Sequence, residues 1–231
     1  MSIFHFIYTD IIYNPILNLL VYLYNIIPGH DIGVVIILVT IVIRFILAPF
    51  MHKSLKGQRA MNALQPKLNE VREKYKNDKE GQAKAMMELY KEHKINPLSS
   101  CLPLIVQLPI LIALYRVLAR ALKGDLGGLY HFVHNPGLID PRFLHIVDLS
   151  KPNFAFAIIA GAAQFWQSRM MLPKTAGGDA TMKAMNVQML YVLPLISVVI
   201  AWRLPAGLPL YWIVTTLFAV GQQYYIMRRE G

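Results

Sequence analysis

Polar residues interrupt the chain so rarely that five stretches, 32–51, 98–119, 153–171, 187–203 and 206–226, read as continuous apolar runs. Each approaches the ~20 helical residues that cross a hydrocarbon core, within a working range of ~17–25. None alternates polar with apolar residues as a strand would, and inside lipid only helices or closed barrels satisfy the backbone. The pattern predicts an all-α integral membrane protein with a five-transmembrane-helix bundle. Pro103, Pro109 and Pro194 fall within these runs, where local kinks are expected.

A different period appears between the first two runs. Met61, Leu64, Leu68, Val71 and Tyr75 recur at 3-4-3-4 spacing, and after a charged break at 77–81 the pattern continues with Ala83, Met86, Met87 and Tyr90. That is the seam of two packed helices, so residues 52–97 are expected to form an antiparallel helical hairpin. The first 27 residues are apolar but broken by Asp10, Asn14, Pro15, Asn18 and Asn25. No basic start or small-residue cleavage site precedes the break, so a cleaved signal peptide is not expected. An interfacial helix over 1–31 with the asparagines on its wet side fits this pattern, a sixth span being its alternative.

Charge orients the bundle. The 231 residues carry 23 Lys+Arg against 13 Asp+Glu, a net +10, with 55% hydrophobic and 16% charged residues and a mean hydropathy of +0.42. Residues 52–97 hold eleven basic groups against six acidic, and 169–186 hold Arg169, Lys174 and Lys183 against Asp179. The positive-inside bias therefore assigns the hairpin, the loop 172–186 and the tail 227–231 to the cytoplasm, and 1–31 and 120–152 to the outside. Arg116, Arg120 and Lys123, at the outer end of the second span, run against that bias. The lysines of the hairpin alternate with glutamates and lack interleaved aromatic residues, so sequence-specific nucleic-acid binding is not expected.

Candidate chemistry is confined to a few intramembrane positions. Arg44 lies six residues inside the cytoplasmic boundary at Phe50, about 9 Å deep at 1.5 Å per residue. A buried arginine costs ~2.5–3.5 kcal/mol on insertion scales, so it normally faces a wet cavity or snorkels to the headgroups. Other polar residues occur at similar depth: Thr40 one turn away, Gln107 with Ser100 and Pro103 on its face, Gln164, Gln167 and Ser168, and Thr215, Thr216, Gln222 and Gln223. Together with Arg44 they outline a polar cavity open to the cytoplasm and confined to the cytoplasmic half, below a mostly aliphatic outer half with Tyr211 and Trp212 near its lower edge.

The absences shape the chemistry further. No Asp or Glu lies in the five spans, which removes a proton-coupling acid and the carboxylate pair of an aspartyl protease. His131, His134 and His145 read as surface histidines, Cys101 is the only cysteine, and no phosphate-binding glycine loop occurs, so no metal and no cofactor is expected.

At four stretches the chain closely resembles the YidC/Oxa/Alb family of membrane protein insertases. They are Thr40-Ile-Val-Ile-Arg44 with Pro49; Gln65-Pro66-Lys67 to Lys74-Tyr75-Lys76; Ile95-Asn96-Pro97 to Gln107-Leu-Pro109; and Leu204-Pro205-Ala-Gly207 to Tyr211-Trp212 with Gln222-Gln223. The resemblance covers about 8–228. It implies five core helices around a groove, with Arg44 as the groove's positive residue and Gln107, Gln164 or Gln167, and Trp212 as polar positions. It also implies a non-enzymatic insertase and chaperone of the bacterial inner membrane, acting on nascent membrane proteins among membrane lipids. The ribosome, targeting proteins and the Sec translocon are its candidate partners. Unlike larger members, the sequence shows no large extracytoplasmic domain, no lipoprotein cysteine near its start and no long basic tail. Ribosome docking is therefore expected at the hairpin and at 169–186. A channel or secondary transporter would need paired repeats or a through-pore, and a structural assembly scaffold would need no groove.

Overall fold

The computed structural model describes residues 3–96, 102–172, 184 and 186–229. Ser100, Cys101 and most of the loop 172–186, which the sequence singles out, lie outside the described residues. The chain is mostly helical, as the apolar runs require: α1 (Ile3–Phe6), α2 (Asn14–Ile26), α3 (Ile32–Lys74), α4 (Lys79–Glu92), α5 (Leu102–Ala121), α6 (Phe154–Met171), α7 (Leu193–Arg203) and α8 (Gly207–Arg229). Between α5 and α6, β1 (Arg142–Phe143) and β2 (Val147–Asp148) pair antiparallel, Arg142 opposite Asp148 and Phe143 opposite Val147. Among the described residues α3 is the one helix long and apolar enough to meet a membrane-crossing criterion of length and composition.

α3 is 43 residues long and continues unbroken from the first apolar run into the basic segment, through Pro49 and Pro66. Asp31 starts it by accepting hydrogen bonds from Gly33 N (2.8 Å) and Val34 N (3.0 Å), an N-cap that satisfies two of the amides left open at a helix start. α4 begins at its own cap, Asp78 accepting from Gly81 N at 2.9 Å. It folds back along α3, with Gln82 Nε2 donating to Arg72 O and Lys67 Nζ 2.9 Å from His93 Nε2. The seam on α3 buries Leu64 and Leu68. On α4 the expected stripe is rotated: Met86 and Tyr90 are half-buried, but Ala83 and Met87 are exposed, and Ala85 and Leu89 take their places.

Two π-helical segments, Ile7–Tyr13 and Gln188–Val192, each end just before an Xaa-Pro step, Asn14-Pro15 and Leu193-Pro194. The residue ahead of each proline donates five residues back, Asn14 N to Thr9 O and Leu193 N to Gln188 O. A proline ring clashes with the carbonyl four residues earlier in an α-helix. The wider turn relieves that clash, and at Pro194 it stands where a simple kink was expected.

Packing follows membrane rules. α6 presents small buried residues, Ala157, Ala160, Gly161 and Ala163, to α7 and α8. A Cβ on Gly161 would overlap the Val198 side chain, the close approach that small residues permit where lipid tails offer no hydrophobic gain from association. At the opposite end of the bundle from the α3–α4 hairpin, Leu17, Leu20 and Val21 of α2 join Ile32, Val35 and Ile36 of α3, Leu114 and Val117 of α5, and Leu149, Leu208 and Tyr211 in one apolar cluster.

Of the asparagines of α2, Asn18 is turned away from water, whereas Asn14 and Asn25 are half-exposed. Asn18 is only 3% exposed; its Nδ2 donates to Asn14 O and Gly128 O, and its Oδ1 accepts from Tyr130 N at 2.7 Å. Asn25 Nδ2 donates to His134 O. Helical spacing puts these residues on one face, but that face binds the backbone of the 122–152 loop, whose own amides need partners.

Candidate substrate groove

Arg44 sits in the first third of α3 and is 7% exposed. Helical periodicity places Thr40 a turn away on the same face. From α5, Gln107 brings its Oε1 to 2.9 Å from Arg44 Nη2, and from α8 Thr215 brings Oγ1 to 3.2 Å from Nε. Gln107 Nε2 in turn donates to Tyr211 OH at 2.5 Å. Tyr211 and Thr215 are four residues apart on α8, so both face α3 and α5. Three helices thus converge on one guanidinium through neutral groups.

That convergence bears on the snorkelling reading of Arg44. A snorkelling arginine reaches away from its helix to the headgroups, whereas this one is held by Gln107 and Thr215. No ion pair among the described residues involves it. Amide and hydroxyl oxygens satisfy N–H donors without cancelling the charge, so the full positive charge persists in a place where screening is weak.

A second contact lies one helix over. Trp212 Nε1 donates to Gln164 Oε1 at 3.3 Å, linking α8 to α6. Gln164 is therefore the glutamine joined to the aromatic position, while Gln167, half-buried, makes none of these bonds. Thr40 is fully buried and its Oγ1 donates to Ile36 O, so it lines the face of Arg44 without bonding to it. Tyr211 was not among the expected site residues. Its i, i+4 relation to Thr215 is the signal that could have found it, since any residue on the Thr215 face must look the same way.

Toward the hairpin end the polar lining continues. Thr216 and Gln223 are buried, and Gln223 lines a cavity of about 100 Å³ with Gln58, Arg59, Asn62 and Met171. Its Oε1 has no hydrogen-bond partner among the described residues. Asn62 Nδ2 donates to Met171 O at 2.8 Å, and Arg59 Nη1 to Ile226 O at 3.4 Å. These carbonyls belong to the last turns of α6 and α8, where helices leave such groups open. The α3 stem thus bridges the ends of both helices.

With this geometry in view, comparison with known sequences is decisive. The sequence model of the family described as 60Kd inner membrane protein matches residues 22–231. The chain belongs to that family. A relative from Fusobacterium nucleatum, named membrane protein insertase YidC, is 38% identical over 221 residues, covering 94% of this chain and 98% of the relative. Proteins of the same name from Pelobacter propionicus and Geobacter sp. strain M21 are 34% and 35% identical. The chain spans little more than a third of those two, 38% and 36% of their lengths. As a member of the 60Kd inner membrane protein family, the chain has its Arg44, Gln107, Gln164, Tyr211, Trp212 and Thr215 within the matched region.

Proposed function

We propose that this chain is a membrane protein insertase and chaperone of the bacterial inner membrane, the activity that its relatives' names carry. In this reading the five apolar runs are five membrane spans. The amino terminus faces outward, and the hairpin 52–97, the loop 172–186 and the tail face the cytoplasm. The observation that carries the mechanism is the buried Arg44 guanidinium, held by Gln107 and Thr215 and in no ion pair among the described residues.

The mechanism follows from the cost of moving polar peptide through hydrocarbon. A nascent chain meets the hairpin, with the ribosome and targeting factors as candidate partners there. Its polar or acidic segment enters the groove against Arg44, and its hydrophobic segment slides along α6 and α8 into lipid. Shortening a ~30 Å apolar path by about half lowers the barrier for a charged group by several kcal/mol, on the order of the cost of placing that group at the bilayer centre. No covalent step and no nucleotide is involved.

Reconstitution tests this reading. The purified chain, alone in liposomes, should integrate a small single-span substrate and protect its translocated tail from added protease. A structural scaffold would leave the tail accessible, and that result would overturn the proposal.

A further inference from the structure

Between α5 and α6 the chain makes a short hairpin that does not look built for water. Ile146 N donates to Phe143 O at 3.0 Å, closing a turn whose two central residues, Leu144 and His145, both have positive φ, 50° and 60°. That is the backbone of a type I′ turn, where Asn and Gly are the ordinary occupants because bulky side chains are strained there. Here the turn carries Leu144, 56% exposed, and is followed by Ile146, 82% exposed.

The hairpin is fixed in position. Leu144 N donates to Asp31 Oδ2, and Asp31 also caps α3. The Phe143 ring covers Gly33, where a Cβ would overlap it, and lies 6.4 Å from the Phe156 ring of α6. Leu149 O and Lys151 O accept from Gly207 N and Ala206 N at the turn between α7 and α8. The tip is thereby level with the first turns of α3 and α6. Those turns of α6 expose Phe154 and Ile158, with Phe154 packed edge-on against the exposed Trp202 of α7. The tip meets α6 at Phe156, on the helix face opposite Phe154 and Ile158 but at the same level along the helix, and the charged pair Arg142–Asp140 adjoins it in sequence.

We infer that Leu144 and Ile146 insert into the interfacial zone of the outer leaflet, so that this hairpin is a phospholipid contact of the bundle and not a solvated loop. The inference takes the topology of the proposed function as its frame. An apolar surface at helix ends, flanked by aromatic rings and backed by charge, matches the layered chemistry of that zone. Exposed aliphatic residues at a strained turn have no gain to offer in water. The contact would fix the depth at which α3 and α6 begin, and hence the depth of Arg44.

The test uses the full chain in phospholipid nanodiscs, with no substrate present. In a Cys101→Ser background, Ile146→Cys and Leu144→Cys are labelled separately with a small environment-sensitive fluorophore, and Asn135→Cys serves as an exposed control on the same loop. Nitroxides on the lipid headgroup or upper acyl chain should remove most of the fluorescence at 144 and 146, and aqueous iodide should remove little. The control should show the reverse. If either tip position behaves as Asn135 does, the hairpin is in water, available to a protein partner instead, and the inference falls. Because the readout involves no insertion, it separates from the liposome assay: each can fail without the other.

Discussion

Two arginines in this chain are held in opposite ways. Arg120, at the end of α5, grips Asp125 with two hydrogen bonds of 2.9 Å and donates a third to Tyr13 OH, with its guanidinium over the Tyr13 ring. Its charge is cancelled locally, and Arg116, over the Tyr8 ring, is sheltered in a related way. Among the described residues the side-chain partners of Arg44 are an amide oxygen and a hydroxyl. The first arrangement fastens the amino-terminal segment to the bundle, and this accounts for cations at an end of α5 where the charge bias alone would not place them. The second leaves a charge seeking an anion. Orientation signals count charges, whereas function depends on which charges remain uncompensated.

The largest expected effect comes from reversing the open charge. Arg44→Glu should reduce insertion of a substrate with an acidic translocated tail by about tenfold or more, equivalent to ~1.4 kcal/mol or more of barrier. Arg44→Lys should retain part of the activity, since a cation remains without the guanidinium fork. A matched neutral tail should be less affected. Equal loss for both tails, at equal protein level in the membrane, would remove electrostatic reception from the mechanism.

A sharper and smaller test converts Arg44 into the other kind of arginine. Gln107→Glu places a carboxylate at the position now 2.9 Å from Arg44 Nη2, imitating the Arg120–Asp125 pair. The fold should tolerate it, because the geometry is already set. Insertion of acidic tails should fall several-fold, while that of neutral tails stays near the parent level. Undiminished acidic-tail insertion would mean that the uncompensated charge is not what matters.

Much of this contrast was legible in the sequence, for a physical reason. An apolar run with a single arginine, and glutamines and threonines at matching depth in other runs, leaves little choice about what meets inside. Arg44, Gln107 and Thr215 do meet, and Gln164 meets Trp212. What the pattern could not supply is the direction a polar face turns. Asn14, Asn18 and Asn25 share a face by periodicity, and the rule for an interfacial helix sends that face to water. Asn18 and Asn25 instead donate to the backbone of the 122–152 loop. Tyr211 was not counted among the groove residues, although its i, i+4 relation to Thr215 puts it on the same face of α8, where its hydroxyl accepts from Gln107. The rotated stripe of α4 has a similar origin: a helix with no fully buried residue tolerates several rotations on its partner.

The smallest expected effect is confined to the compensated charges. The Arg120 guanidinium holds the Asp125 carboxyl below the usual carboxylate range, and Arg142 does the same for Asp140. Ser150 and then Lys151 lower that of Asp148. A depressed folded value contributes stability that is present above the unfolded value of about 3.9 and is lost as pH falls through the folded one. A spin label at Asn135 should therefore keep its mobility from neutral pH down to about 4 and gain mobility only below that, where these carboxylates take up protons. Asp125→Asn should produce a milder loosening of the same loop at neutral pH and leave insertion unchanged, because exposed pairs contribute little. A label at Ile46, next to a cluster with no carboxylate, should hold its spectrum through the acid range. If both labels loosened at one pH, acid would be acting on the whole bundle. The division between an arginine that fastens and an arginine that receives would then not be a division between independent regions.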